Sequence, residues 1–247
     1  MSFWIIDNGA VHGLDCVLLL RARFLSSVEL FGTLQVCACV FENGSFLHYY
    51  GWMAFFLVLA LTAIVHMNSI APAVANPATV IEDALRRKQT TRRTALLLAA
   101  ECLGGACAFQ FSRQFWRFHL HTIHAQRFDV YACYTDLTVG LVAGLFCEAV
   151  AALTAQFFDL VYSAHLSAQL ARVAVGFTCA AITCSGLSLT GMYYNPILAS
   201  AITFGCDGLD AASHLFVYWL GPVIAAGVPG EASQNLQYFG GIDFLAS

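Results

Sequence analysis

Residues 75–85 read Ala-Asn-Pro-Ala-Thr-Val-Ile-Glu-Asp-Ala-Leu, and residues 194–204 read Tyr-Asn-Pro-Ile-Leu-Ala-Ser-Ala-Ile-Thr-Phe. Both stretches are largely apolar and both open on Asn-Pro. At 1.5 Å per residue each covers roughly 16 Å as a helix, about half of a bilayer's hydrocarbon core. Proline is favoured in the first turn of a helix, where its missing N–H costs nothing. The pair therefore predicts two half-helices that enter a membrane and stop there.

A membrane setting follows from composition. Of the 247 residues 59% are hydrophobic and 11% charged, with a mean hydropathy of +0.71. Soluble domains carry about a quarter charged residues, so this much apolar surface points to a polytopic bundle whose partner is the lipid bilayer. The net charge of −4 is small and unsegregated, which argues against a nucleic-acid partner. Six apolar stretches read as spans: Phe24–Phe41, Tyr49–Met67, Thr94–Ser112, Asp136–Phe158, Leu170–Leu187 and Ala211–Val228. The expected fold is an all-α membrane protein of six transmembrane helices plus two re-entrant half-helices. The expected organisation is a cytoplasmic N-terminal segment (1–23), a channel domain (24–228, with halves of about 24–112 and 136–228) and a C-terminal tail (229–247). No cleavable signal peptide stands out, because Leu18–Leu20 is short and meets Arg21 and Arg23 at once. Eight of the eleven Lys and Arg residues, including Arg86, Arg87, Lys88, Arg92 and Arg93, fall on one side, which predicts a cytoplasmic N-terminus.

The halves repeat in step. Glu29 precedes Asn76 by 47 residues, Glu148 precedes Asn195 by 47, and the two pairs are offset by 119. A single Asn-Pro is usually a turn, but two in register with a span-embedded Glu are much harder to attribute to chance. With three spans per half, the second half starts from the opposite side of the membrane. That is an inverted repeat, and it places a pathway between the halves.

Half-helix N-termini carry partial positive charge and unpaired N–H groups. Asn76 and Asn195 are expected to offer amide donors to a passing oxygen, so that a central water donates outward both ways and relays no proton. The dipole ends repel cations. Glu29 and Glu148 are expected to accept hydrogen bonds from the re-entrant backbone; proton-coupled transport through them is the less favoured alternative.

These residues resemble a known family. Asn76-Pro77-Ala78 is identical to the NPA signature of aquaporins, the major intrinsic proteins. Leu189–Pro196 resembles their TG-x3-NPA loop, Ala100–Ala106 resembles the AQ-x2-GA of the third helix, and Tyr218–Pro222 resembles the YWxGP of the sixth. Glu29–Gln35 with its Cys-rich continuation is similar to the first helix of the super-aquaporins, the branch of the aquaporin eleven and twelve types, as is Cys206, eleven residues beyond Asn195. The resemblance implies a passive channel for water and small neutral solutes such as glycerol or hydrogen peroxide, no cofactor, a homotetramer, and an intracellular membrane such as the endoplasmic reticulum. A poorly conducting, structural member of the family is the alternative.

Departures from the pattern carry their own expectations. The second motif is Asn195-Pro196-Ile197, which predicts a more crowded, apolar pore centre. Leu198 stands where most aquaporins have Arg, and family spacing gives Phe56, Thr183 and Met192 as the other filter positions, with Phe55 adjacent to the first. Such a ring has one hydroxyl and no fixed charge, which favours glycerol-like solutes and permits dewetting. The sixth span is about 18 residues, near the lower limit for crossing.

The cysteines do not read as a disulfide framework, since Cys37, Cys39, Cys102, Cys107, Cys147, Cys179 and Cys184 lie in apolar segments. Cys206 is expected to support the second loop, through packing, redox chemistry or a tetramer contact. His119, His121 and His124 share one loop with Arg113, Arg117 and Arg127, which reads as a solvated basic connection and not a metal site. No enzyme motif occurs.

Overall fold

The computed structural model describes residues 8–129 and 132–228, with side chains from Phe24 onward. The expected tail, 229–247, lies outside the described residues.

The first helix, α1 (Asn8–Ser69), carries one non-helical residue, Gly51, at φ +79°. That single break folds it into a hairpin. Gln35 Nε2 donates to Ser69 Oγ (3.1 Å) and Asn43 Nδ2 donates to Thr62 Oγ1 (3.2 Å), pairs whose midpoints both fall near Gly51. Only glycine takes this conformation without steric cost. The two arms correspond to the first two predicted spans, with the first running on past Phe41 to the turn.

The chain continues through α2 (Pro77–Leu85), α3 (Thr91–Trp116), α4 (Thr122–Asp129), α5 (Leu141–His165), α6 (Ala168–Thr190) and α7 (Pro196–Thr203). The last apolar segment is α8 (Ala211–His214), a π-helical stretch (Leu215–Leu220) and α9 (Gly221–Ala226) in continuous succession. Four described helices are long and apolar enough to cross a membrane, the first being the hairpin, and Ala211–Ala226 is a shorter apolar helix. The sequence reading is corrected at several points: the first span continues to the break at Gly51, the fourth runs Leu141–His165 and not Asp136–Phe158, and the basic connection read as a solvated loop contains the helix α4.

Polarity is distributed as lipid requires. Phe31, Met53, Leu61 and Phe146 are more than half exposed, whereas Glu29, Thr33, Glu101, Glu148 and Thr190 are buried. Polar groups in such a bundle face inward, because hydrocarbon offers them no partner. Small residues let the helices close. A Cβ on Gly104 of α3 would stand 2.5 Å from the Leu30 carbonyl, so α3 lies directly on the backbone of the first arm.

One disulfide, Cys133–Cys206, joins the segment before α5 to the segment after α7. Thr135 N donates to Asp207 O (2.9 Å) and Asp207 N to Cys133 O (3.1 Å), so a short parallel bridge accompanies it. Cys206 thus ties down the segment after the second half-helix through a covalent bond to Cys133 of the same chain, and not through a contact with a second copy. The seven cysteines assigned to apolar segments are free thiols.

Candidate pore

The two Asn-Pro half-helices are built alike. Asn76 caps α2 by accepting from Ala78 N (3.0 Å), and Asn195 caps α7 by accepting from Ile197 N (3.2 Å) and Leu198 N (3.4 Å). Pro77 and Pro196 occupy the first helical position of each. Using Oδ1 as the cap turns each amide NH2 away from its own helix.

Before each cap the backbone is strained in the same place. Ala75 has φ +52° and Tyr194 φ +39°, values that cost a non-glycine residue about 1–2 kcal/mol each. The return is that two successive N–H groups point at one carboxylate. Val74 N (3.0 Å) and Ala75 N (2.6 Å) donate to Glu29 Oε1, with Val74 N also 3.2 Å from Oε2. Tyr193 N (3.2 Å) donates to Glu148 Oε1 and Tyr194 N (2.5 Å) to Oε2. The separations in sequence are 45 and 46 residues in both halves, so the repeat is kept bond for bond. Thr190 Oγ1 adds a third donor to Glu148 (2.5 Å).

The half-helices meet, and Asn195 Nδ2 donates to the Ala75 carbonyl (2.7 Å), joining the second motif to the first loop. Beside them runs a cavity of about 660 Å³ lined by Asn76, Asn195, Thr183, Met192 and Leu198. Its wall includes both Phe55 and Met67 of the second arm, a helical stretch of roughly 18 Å at 1.5 Å per residue. Thr183 Oγ1 lies 3.4 Å from the Met192 carbonyl, so the hydroxyl and that loop form one wall.

Two expected site residues fall elsewhere. Phe55, not Phe56, lines the cavity; Phe56 packs against Phe177 with ring centroids 6.0 Å apart. Adjacent helical residues point about 100° apart, so a one-residue slip exchanges the cavity wall for the contact with Phe177 of α6. Ile197 does not crowd the pore centre. It is buried against α3, where a Cβ on Gly105 would stand 2.6 Å from Ile197 Cγ1. Ala78 and Pro77 are likewise buried in the support of α2.

Several site residues were not singled out from sequence. Asp136 lines the cavity and accepts a hydrogen bond from the Tyr193 hydroxyl. Burial raises its carboxyl above the usual range, and the Tyr193 bond opposes the rise. Ser200 ties α7 to the last apolar segment, donating to Pro196 O (2.8 Å), accepting from Trp219 Nε1 (2.9 Å) and meeting His214 Nε2 (3.2 Å). Tyr218 hydroxyl donates to Thr190 O (2.8 Å). The Thr-Gly and Tyr-Trp motifs were the sequence signal for these last contacts.

Comparison with known proteins agrees with this geometry. Aquaporin-11 of Milnesium tardigradum is 28% identical over 210 residues, covering 84% of this chain and 75% of its own. Putative aquaporin-10 of Caenorhabditis elegans is 30% identical over 217 residues, with 84% and 75% covered. Aquaporin-12 of Mus musculus is 27% identical over 202 residues, with 78% and 68% covered. Residues 22–231 match the family described as Major intrinsic protein. An inverted pair of Asn-Pro half-helices on a cavity within that match leaves one assignment: the chain belongs to the major intrinsic protein family, as an aquaporin of the unorthodox type.

Proposed function

We propose that the chain is a passive channel for water and small neutral solutes, glycerol and hydrogen peroxide among them. The observation that carries this reading is the cavity that passes both Asn76 and Asn195. A solute crossing it meets two helix N-termini and the amide groups of Asn76 and Asn195 in a lining that is otherwise mostly apolar. Neutral oxygen-bearing solutes find donors there, and cations meet the positive ends of two dipoles. The two Asn residues differ in duty. Asn195 spends one N–H on Ala75 O and keeps one for the pathway, whereas Asn76 uses only its oxygen in the bonds described above.

In this reading Glu29 and Glu148 are structural acceptors that hold the re-entrant backbone, and no proton moves through them. Phe55, Thr183, Met192 and Leu198 form the narrow ring, a wall of one hydroxyl and three apolar side chains that accepts a solute with an apolar edge. We place the protein in an intracellular membrane, as a homotetramer with one pore per subunit and its N-terminus in the cytoplasm, the last on the distribution of Lys and Arg.

The test is stopped-flow light scattering on proteoliposomes under sucrose, glycerol and peroxide gradients. Wild-type vesicles are expected to change volume faster than protein-free ones, and an inserted Asn195→Leu variant to lose the difference. Equal rates for wild-type and protein-free vesicles, with insertion verified, would replace the channel by a structural role for the fold.

A further inference from the structure

The narrow ring has no fixed charge of its own, yet one guanidinium reaches the cavity from outside it. Arg127, in α4, lines the cavity together with Asn43, Gly44 and Asp136. We propose that Arg127 is the filter cation of this pore, supplied from the connection between α3 and α5 in place of the residue at 198, and that it sets the preference for water over polyols. The proposal rests on the channel reading above.

The placement of Arg127 is specified by bonds on several sides. Nη1 donates to the Phe41 carbonyl (2.5 Å), and the guanidinium carbon stands 5.4 Å above the Trp116 ring. The Trp116 indole donates to Glu42 Oε1 (2.5 Å), and His124 Nε2 meets Glu42 Oε2 (3.1 Å) one turn before Arg127 on the same helix. Nη2 lies 3.7 Å from where a Cβ on Gly44 would stand, so the group rests over that glycine at the cavity edge. A planar cation stacked on an aromatic face is held in orientation as well as position. The bond to Phe41 uses one of five N–H donors, which leaves a fork for a solute oxygen.

Leu198 packs against the cluster that contains Phe41 and Trp116 and lines the same cavity, so Arg127 and Leu198 share that cluster as a support. Among the described lining residues Arg127 is the one permanent cation; His66 is the other basic side chain, and Asp136 is the carboxylate. A fixed cation and a carboxyl group in one lining leave that lining with little net charge. Discrimination then comes from hydrogen bonding and width, and the property to measure is a ratio of neutral solutes.

The experiment compares glycerol and water permeabilities of wild type, Arg127→Met and Arg127→Gln in proteoliposomes. Removing a charged donor fork from the mouth is expected to raise the glycerol-to-water ratio on the order of tenfold. Arg127→Gln keeps an amide donor in place of the guanidinium and carries the same expectation, so it serves if Arg127→Met fails to insert. An unchanged ratio in an inserted variant overturns the proposal. So does an equal fall in both permeabilities, which is what a purely structural tie to Phe41 predicts. A wild-type protein that permeates neither solute overturns the channel reading itself and this inference with it, and is distinguished by being visible before any substitution.

Discussion

Replacing Glu148 by Gln takes one acceptor and a charge from a carboxylate whose two oxygens serve three donors. Oε1 accepts from Thr190 Oγ1 and Tyr193 N, and Oε2 from Tyr194 N at 2.5 Å. The cheaper orientation of the new amide puts its NH2 against Tyr194 N–H, so that bond becomes a repulsion. Losing one charge-assisted bond costs about 1.5–3 kcal/mol, and weakening the other two to neutral strength adds about 1 kcal/mol each. The sum is about 3–5 kcal/mol. The same change at Glu29 is far milder, because Val74 N and Ala75 N both reach Oε1, and the NH2 can take the Oε2 side without orphaning either. For a chain of this size 1 kcal/mol moves Tm by about 2–4 °C. Glu148→Gln is thus expected to lower the melting temperature in detergent by about 10 °C and to reduce permeability, while Glu29→Gln stays within about 3 °C of wild type. Equal damage from the two substitutions would refute the bond-by-bond reasoning. So would a silent Glu148→Gln.

Breaking the Cys133–Cys206 bridge by Cys206→Ser frees a 73-residue separation, and loop entropy sets the loss at about 4 kcal/mol or less; reductant should reproduce the lower melting temperature in wild type and leave the variant unmoved. Gly104→Ala drives a Cβ to 2.5 Å from the Leu30 carbonyl, and Gly105→Ala drives one to 2.6 Å from the Ile197 side chain. Each is expected to cost about 1–3 kcal/mol, but adding Ile197→Ala should rescue only Gly105→Ala, as read by thermal unfolding.

The half-helices and their carboxylate supports were legible because each rests on a local rule repeated at one offset. Asn-Pro starts a helix whatever surrounds it, and Glu in an apolar span needs a donor. What was not legible depends on rotation and on distant segments. Choosing Phe55 over Phe56 requires the phase of the second arm, which is set at Gly51, and glycine in an apolar run gives no warning that it is a hairpin apex. The direction of Ile197 depends on Gly105, ninety-odd positions away in sequence, whose missing side chain makes room for it. Cys206 had a signal in its position but none for its partner, because a disulfide is a fact of two loops brought together by the fold.

The two halves share a backbone solution and differ in what they do with it. Ala75 and Tyr194 take the same left-handed turn for the same purpose, to present paired N–H groups to a buried carboxylate. At Ala75 the turn also presents a carbonyl to the other half, and Asn195 Nδ2 takes it at 2.7 Å. Tyr194 instead sends its hydroxyl to the Cys179 carbonyl (3.3 Å), so its bulk is used against α6. The first loop is therefore small and serves as the anchor for the second motif, while the second loop is large and braces the wall that carries Thr183. An exchange of the two roles would leave Asn195 without its acceptor and α6 without its brace. That dependence explains how two halves can be symmetric in their hydrogen bonds to the carboxylates and yet differ in what their side chains brace.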